Sequence, residues 1–272
     1  MNTVPSRQAL AAAVTAAHAA GKMMRDHFRS PKKITEATQH DIKLELDLLC
    51  QKRIERTLRR AFPRIALLGE EGMAGDPKAG QRWVVDPIDG TVNFTYGIPH
   101  ACVSIALQVQ RQTAGDGHRR RPQAVPFETV LGVVYDPFCE ELWTAVRGGP
   151  ARLNGRTIRV SSRTRLDESL VSLGFAKQPE TLKRMLPVFN DLIHRVRKIR
   201  MMGAAALAMV YVASGRLDAY TEYGVRLWDI AAGGLILECA GGEFWRQPVA
   251  GEEAYYVIAN NGRLRRQLAK IG

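Results

Sequence analysis

The sequence WVVDPIDGTVNF at residues 83–94 begins as an apolar strand and ends as a polar turn. Pro87 has no backbone N–H to donate to a sheet, so we expect the strand to stop before it. Asp86 and Asp89 flank this proline, and we expect both carboxylates to lie together at the carboxyl edge of the sheet. The stretch therefore predicts an acidic site at the end of a buried strand.

Gly90 and Thr91 follow the second carboxylate and open a short helical run. Glycine lets a backbone approach a ligand closely, and the free N–H groups at a helix start attract an anion. Two hard oxygen donors beside such a turn are typical of a divalent metal that bridges to a phosphate.

The composition bounds the class of protein. The chain has 272 residues, of which 46% are hydrophobic and 24% charged, as in an ordinary soluble protein with one large domain or two intimate lobes. The four cysteines are far apart and form no C-x-x-C pair (Cys50, Cys102, Cys139 and Cys239). This spacing favours reduced thiols in a cytoplasmic protein over disulfides or a zinc site.

Two apolar stretches raise the question of a membrane or export segment. Residues 9–20, ALAAAVTAAHAA, are rich in alanine and contain His18, which favours an amphipathic helix over a signal peptide. Residues 204–213 are too few to cross a bilayer, which takes about 20 residues. We therefore expect a soluble protein without a membrane partner.

The net charge of +12 is concentrated in three segments, residues 111–122, 194–200 and 263–272, which together supply 11 of the 12 charges. Such patches suit nucleic acid or another polyanion. A solvated surface that attracts anionic substrates generally is the preferred explanation, and no nucleic-acid-binding module is visible.

Hydrophobic periodicity organises the rest of the chain. It predicts helices at residues 5–29, 44–60, 180–195, 204–214, 229–239 and 261–271. It predicts strands at residues 65–68, 101–110, 129–136, 140–146, 169–173, 197–201, 217–221 and 254–259. Residues 111–126 are expected to form a surface loop, residues 153–155 a hairpin turn, and residues 147–160 a boundary between lobes. Strand–helix alternation in the second half predicts a layered α/β lobe.

The other acidic residues can be explained by solvation or helix capping, without a catalytic role. Glu70 and Glu71 follow a predicted strand, where a solvated acidic turn is one interpretation. Asp229 lies in a first helical turn, the usual place for a capping aspartate. Asp41 and Glu45 lie near the second helix start, where the dipole favours carboxylates, and for these two capping is preferred over catalysis.

Three motifs together resemble those of the inositol monophosphatase family: GEEG at 69–72, DPIDGT at 86–91 and WDIAAGGLILECAGG at 228–242. The segments at 93–107, 151–161 and 203–220 are similar to it too, so the resemblance covers nearly the whole chain. It implies an α+β or α/β chain folded as a layered αβαβα sandwich of the inositol monophosphatase and fructose-1,6-bisphosphatase type. It also implies one domain, 1–272, with an N-terminal lobe at about 1–150 and a C-terminal lobe at about 151–272.

The resemblance assigns roles to individual residues. The implied metal ligands are Glu70, Asp86, the carbonyl of Ile88, Asp89 and Asp229. The residues implied to activate water are Glu70 and Thr91, with Asp47 as a further catalytic residue beside a third, weaker ion. The implied substrate contacts are Gly90, Thr91, the backbone of Ala205, Glu222 and Asp229. Around Asp47 the sequence departs from many members, because Leu44 replaces a threonine and Lys43 adds a charge.

The implied activity is Mg²⁺-dependent hydrolysis of a phosphate monoester, sensitive to lithium. Two Mg²⁺ ions about 4 Å apart activate water and stabilise the leaving oxygen in such sites. Magnesium suits a set of oxygen donors without histidine or cysteine.

The resemblance points to inositol 1-phosphate as the substrate and to a homodimer as the oligomer. Fructose 1,6-bisphosphate, NADP, 3'-phosphoadenosine nucleotides and histidinol phosphate stay open as substrates, and Arg226 favours a more anionic one. An RNA- or polyanion-binding regulatory protein on the same fold is the alternative from another class.

Overall fold

The structure is a computed structural model, and it describes residues 6–38, 42–111, 127–175 and 179–271. Its helices are α1 (Ser6–His27), α2 (Glu45–Ala61), α3 (Thr91–Thr95), α4 (Pro179–Arg195), α5 (Ala205–Ala213), α6 (Leu227–Cys239) and α7 (Arg265–Leu268). A 3-10 turn lies at Leu166–Glu168.

The first sheet has eight strands in the order β10-β9-β8-β7-β6-β5-β3-β4. Its strands are β3 (Ala66–Gly69), β4 (Gly72–Ala74), β5 (Gln81–Asp89), β6 (Cys102–Gln110), β7 (Phe127–Asp136), β8 (Glu141–Val146), β9 (Arg152–Leu153) and β10 (Arg156–Thr157). A small hairpin, β1 (Ile34–Ala37) with β2 (Ile42–Leu44), stands outside it.

The second sheet has five strands in the order β12-β11-β13-β15-β14. They are β11 (Leu170–Phe175), β12 (Lys198–Arg200), β13 (Ala219–Val225), β14 (Glu243–Pro248) and β15 (Tyr255–Asn260). β11 runs parallel to β12 and β13, whereas β15 runs antiparallel to β13 and β14.

Side-chain alternation along β5 explains how the layers stack. Trp83 and Val85 belong to a core with the alanines of α1 and the apolar face of α2. Val84 belongs to a second core, with α5 and α6, that also includes Tyr220 and Val257 of the second sheet. Successive side chains of a strand point to opposite faces, so one strand contributes to both cores.

A third core lies beyond the second sheet, where α4 and α7 cover its far face (Met185, Val188, Leu192, Leu264 and Leu268). The order of layers is therefore α1–α2, first sheet, α5–α6, second sheet, α4–α7. This confirms the predicted αβαβα sandwich.

The prediction that the strand stops before Pro87 was wrong. β5 continues to Asp89, and its pairing with β6 is irregular between Asp86 and Asp89. An irregularity of this kind leaves residues out of the ladder, so the missing donor of proline costs no sheet hydrogen bond there.

Other element predictions fared unevenly. The hairpin turn at 153–155 is confirmed, with Asn154 and Gly155 both at positive φ. The last helix was predicted too long, because only Arg265–Leu268 is α-helical. β14 was not predicted, since Trp245 and its neighbours do not alternate clearly between buried and exposed positions. Asp41 and most of the loop at 111–126 lie outside the described residues.

Within the described ranges, no helix is both long and apolar enough to span a bilayer.

Candidate active site

Parallel pairing of β3 with β5 brings the first two predicted motifs together. Gly69 is paired with Val85, and the N–H of Glu70 donates to the Val85 carbonyl at 3.1 Å. Glu70 therefore begins the turn after β3 at the level where β5 reaches Asp86. The ends of these two adjacent strands therefore bring Glu70 and Asp86 into one neighbourhood.

The turn after β5 is built around Gly90. Its φ of 91° is a left-handed conformation that favours glycine, and a Cβ there would stand 2.9 Å from the His100 carbonyl. Thr91 begins α3, and its hydroxyl donates to the Ile88 carbonyl at 2.8 Å. The oxygen of Thr91 is thereby oriented with its lone pairs away from Ile88.

Asp89 is tied to the start of α5. Its Oδ1 accepts the N–H of Ala205 at 3.1 Å, and its Oδ2 accepts the N–H of Ala206 at 2.8 Å. The buried thiol of Cys102 also donates to Oδ2 at 3.5 Å. A helix start favours a negative charge, so the N–H groups of α5 lower the pKa of Asp89 and offset part of the effect of burial.

Asp229 lies in the first turn of α6. Its Oδ2 accepts the N–H of Arg226, the residue that caps the helix, at 2.7 Å. The capping interpretation of this aspartate is thus confirmed, and one carboxylate oxygen is engaged by it. The side chain of Arg226 is exposed at the same helix start.

The acidic side chains act on one another electrostatically. Burial first, and then the charges of Glu70, Asp89 and Asp229, raise the pKa of Asp86 well above its usual value. Burial, Asp89 and Glu70 likewise raise the pKa of Asp229, and burial raises the pKa of Asp89 to about 6. Mutual repulsion of this kind requires carboxylates that are close together in a site poor in water.

Glu222 on β13 extends the acidic site. Its Oε2 accepts the hydroxyl of Tyr220 at 2.6 Å, and burial raises its pKa to about 7, with a further contribution from Asp89. The carboxylate lies against the backbone of β11, where a Cβ on Gly174 would overlap it. Glu222 was predicted as a substrate contact. The charge of Asp89 raises the pKa of Glu222, and the charge of Glu222 raises the pKa of Asp229, so Glu222 belongs to the same acidic site.

Asp47 lies on α2, and its side chain is buried. Its Oδ2 accepts the N–H of Leu44 at 2.7 Å, and its charge helps raise the pKa of the Cys50 thiol to about 12, after burial. Asp47 therefore caps the start of α2, and its catalytic role stays a prediction. Glu45 forms an ion pair with Lys33 at 3.0 Å, as befits a surface carboxylate.

The donor set fits a hard divalent cation. Among the described residues no arginine, lysine or histidine forms an ion pair with Asp86, Asp89 or Asp229, so their charge lacks a compensating protein cation. All the donors are oxygens, which Mg²⁺ prefers. In the part of the chain that the structure describes, no three acidic, histidine or cysteine side chains are already arranged around a single ion position. Backbone N–H groups engage oxygens of Asp86, Asp89 and Asp229.

The fold and this arrangement of carboxylates define the class of protein. The chain belongs to the inositol monophosphatase family, whose model matches residues 6–116 and 124–271. Members of this family generally use Mg²⁺.

Two kinds of relative stand close to the chain in sequence. "Nus factor SuhB" of Pseudomonas aeruginosa is 38% identical over 241 residues, covering 85% of this chain and 82% of that protein. "Inositol monophosphatase 1" of Solanum lycopersicum is 36% identical over 240 residues, covering 86% of this chain and 82% of that protein.

Solved structures show the same fold. The extragenic suppressor protein SuhB from Bartonella henselae matches with a TM-score of 0.81 at 32% identity, covering 96% of each chain. The inositol monophosphatase from Anabaena (Nostoc) sp. PCC 7120 matches with a TM-score of 0.79 at 31% identity, covering 96% of this chain and 93% of that one.

Sequence reasoning missed several residues that shape the site. Cys102 and Tyr220 donate hydrogen bonds to predicted carboxylates, and Asn93 bridges the His100 and Met202 carbonyls, at 2.9 and 2.7 Å, between α3 and α5. Gln51 contacts the turn after β3. Cys102, Asn93 and Gln51 have no sequence signal, because their partners are distant in the chain. Tyr220 and Glu222 are two residues apart on β13, so strand alternation could have placed both on one face.

Replacing Gly174 with alanine is expected to displace Glu222 without unfolding the protein. The added methyl group would overlap the end of a flexible carboxylate, which can move away at an overpacking cost of about 1–3 kcal/mol. We expect Gly174→Ala to raise KM for a polyol phosphate, with a smaller change in kcat. Glu222→Gln should raise KM in the same way. Gly80→Ala is the control, because the nearest atom to an added Cβ there is a side-chain oxygen at 3.7 Å. Unchanged KM in Gly174→Ala and in Glu222→Gln would contradict a substrate contact at Glu222.

Proposed function

We propose that the protein is a Mg²⁺-dependent phosphomonoesterase acting on a small polyol phosphate, most specifically inositol 1-phosphate. The observation that supports it best is the electrostatic repulsion among Glu70, Asp86, Asp89 and Asp229, which places these four carboxylates in one acidic site. A phosphate ester is an anion, and such a site repels it unless cations are bound. The same site is therefore suited to hydrolysing phosphates only with metal present.

The residues that hold the ions in this proposal are the four carboxylates and the Ile88 carbonyl, with two Mg²⁺ ions in the main site. Bound Mg²⁺ supplies Lewis-acid stabilisation of phosphoryl oxygens and lowers the pKa of water. Asp86 has one oxygen engaged by the N–H of Ile88 at 2.9 Å. Its other oxygen is the donor that we assign to the metal.

Thr91 and Glu70 orient the attacking water in this proposal. The Thr91 hydroxyl donates a hydrogen bond to the Ile88 carbonyl, so its oxygen is left to accept a hydrogen bond from water. Glu70 supplies a carboxylate that accepts the second water proton. Because the two groups lie at the ends of neighbouring strands, both can contact one water molecule.

Substrate recognition is assigned to the groups around the acidic site. The backbone at Gly90 and Thr91 cradles the phosphate, and the Ala205 backbone and the carboxylate of Asp229 contact the rest of the substrate. Glu222 has one oxygen engaged by Tyr220, which leaves the other to accept a polyol hydroxyl. This preference for hydroxyl groups supports a polyol phosphate.

The test is phosphate release from a panel of phosphorylated metabolites, assayed with Mg²⁺, with EDTA and with added lithium. The panel contains inositol 1-phosphate, fructose 1,6-bisphosphate, NADP, 3'-phosphoadenosine nucleotides and histidinol phosphate. We expect the highest kcat/KM for inositol 1-phosphate, no release with EDTA and inhibition by lithium. Arg226→Ala tests whether Arg226 favours the more anionic substrates of the panel. If it does, the variant should show a weaker preference for doubly anionic substrates. Release in EDTA would overturn the metal mechanism.

A second candidate function, binding of RNA, is favoured by a cluster of basic residues on the C-terminal lobe. Three chain segments meet there, residues 163–165, 197–198 and 263–270. Ser169 joins the first two, because its hydroxyl donates to the Arg165 carbonyl and its own carbonyl accepts the Arg197 N–H. Gln267 joins the third to the first by donating to the Thr164 carbonyl at 2.7 Å. We call this the basic surface, and it consists of Arg163, Arg165, Arg197, Lys198, Arg263, Arg266 and Lys270. Its cations outnumber the local carboxylates (Asp167, Glu168 and Asp218).

Removing charge from the basic surface is expected to weaken RNA binding in a salt-dependent way. For single strands the slope of log K against log salt is about −0.7 per phosphate contact, so neutralising Arg197, Lys198, Arg266 and Lys270 should reduce its magnitude by about 3. The measurement is retention of a single-stranded RNA from 50 to 300 mM salt. Lys52→Gln with Arg53→Gln, on the exposed face of α2, is the control. No retention by the wild-type protein at physiological salt would overturn this candidate.

The homodimer stays a proposal. The exposed apolar side chains Tyr96, Ile98 and Met201 lie beside the Asn93 bridge and supply a surface that a second copy can cover. Two copies associating there would place their acidic sites near the interface, and sedimentation measurements test the association.

A further inference from the structure

Gln51 is a buried polar side chain that none of the roles above requires. It lies on α2, one helical turn after Asp47, and only 5% of it is exposed. Its Oε1 accepts the N–H of Glu71 at 3.0 Å, and its Nε2 donates to the Gly72 carbonyl at 3.2 Å. One side-chain amide therefore binds both a donor and an acceptor of the turn that presents Glu70.

The contact reaches the other side of Glu70 as well. The amide of Gln51 lies so close to Gly69 that a Cβ at this position would overlap it. On the opposite side, the N–H of Glu70 donates to the Val85 carbonyl. The GEEG turn is thus held between two elements: β5 fixes one side of it, and Gln51 fixes the other.

Helix α2 is a firm support for such a contact. It is 17 residues long, and its apolar face, with Cys50, Ile54 and Leu58, is buried in the core shared with α1 and the first sheet. The packing of α2 fixes the backbone at Gln51, although ordering its side chain still costs rotamer entropy. The turn also joins two short paired strands, with Gly69 of β3 opposite Gly72 of β4, so the contacts of Gln51 add to the restraint that this hairpin supplies.

We propose that Gln51 is the positioning residue that fixes Glu70 for water activation, an inference that rests on the phosphatase activity proposed above. Gln51 touches neither substrate nor metal in this assignment and acts only through the turn. Displacing a catalytic group by about 1 Å costs roughly 100-fold in rate. Losing both amide hydrogen bonds therefore lowers turnover more than it lowers substrate affinity.

The test compares Gln51→Leu with Gln51→Glu, using Mg²⁺-dependent phosphate release. Gln51→Leu is expected to lower kcat about 10- to 100-fold with KM changed less than about twofold. Gln51→Glu keeps an acceptor for the N–H of Glu71, so its kcat should lie between those of Gln51→Leu and the wild type. The matched control is Gln108→Leu, which removes another buried amide, bonded to Arg82 and Thr129, at a distance from the turn. This control should keep the wild-type kcat.

A double-mutant cycle separates positioning from general destabilisation. If Gln51 acts through Glu70, adding Gln51→Leu to Glu70→Gln should lower kcat no further. Faster amide exchange at Glu71 in Gln51→Leu provides a readout that does not depend on activity. Additive losses, or wild-type kcat in Gln51→Leu, would overturn the role of Gln51 while leaving the phosphatase intact. Absence of phosphate release from the wild-type protein would instead overturn the proposed function, and this inference with it.

Discussion

Asp89→Asn is expected to lower kcat/KM for inositol 1-phosphate by about 10³-fold. The substitution removes a negative charge from the acidic site at nearly constant shape, so cations bind there more weakly. It also replaces one acceptor with an NH₂ group. Both oxygens of Asp89 accept N–H groups, from Ala205 and Ala206, so the new amide would place a donor against a donor. The measurement is phosphate release at saturating Mg²⁺.

Asp191→Asn serves as the matched control, because it makes the same chemical change on the surface of α4. Asp191 pairs with Arg195 one helical turn away at 2.9 Å, and exposed pairs of this kind contribute under about 1 kcal/mol. Its activity should equal that of the wild type. If Asp89→Asn retains Mg²⁺-dependent release at the same level, the acidic site is not the metal centre.

The metal-free protein is expected to become less stable as the pH rises from about 4 to about 7. Asp89 has a folded pKa of about 6 against an ordinary value of 3.8, and Glu222 has about 7 against 4.5. A raised folded pKa means that the folded state binds more protons. The stabilisation that these bound protons provide is fully present below the ordinary pKa. It is lost as the pH rises through the folded pKa. At roughly 1.4 kcal/mol per unit, Asp89 alone accounts for about 3 kcal/mol.

Chemical denaturation in EDTA between pH 4 and 8 measures this dependence, and Mg²⁺ provides the contrast. A cation bound to the ionised carboxylates stabilises only the folded state, by about 2.7 kcal/mol at 100 times its Kd. With Mg²⁺ present the loss of stability above pH 6 should therefore be reversed. Asp89→Asn should show a smaller pH dependence in EDTA. A stability that is flat with pH in EDTA would contradict the raised pKa values of these buried carboxylates.

Local sequence patterns predicted most elements and much of the site. The apolar periodicity of α2 and α6 and the alternation along β6 identified these elements to within a few residues. The motifs around Glu70 and Asp86 resembled one family, and that membership is confirmed. Errors arose where local chemistry was overridden: the irregular pairing beyond Asp86 let β5 pass Pro87, and few residues after Asn261 are helical.

By itself, the sequence indicated a layered α/β lobe through its strand–helix alternation, which is a local property of the chain. The resemblance of its motifs to one family implied the full sandwich and the set of acidic residues. Only the tertiary structure decided which groups hold those residues in place. The start of α5 binds Asp89 across 116 positions of sequence, and Gln51 supports the GEEG turn from a different element. Hydrogen bonds between elements depend on how the layers pack, which no local pattern encodes. The same packing gathers the dispersed basic segments 194–200 and 263–272 onto one surface.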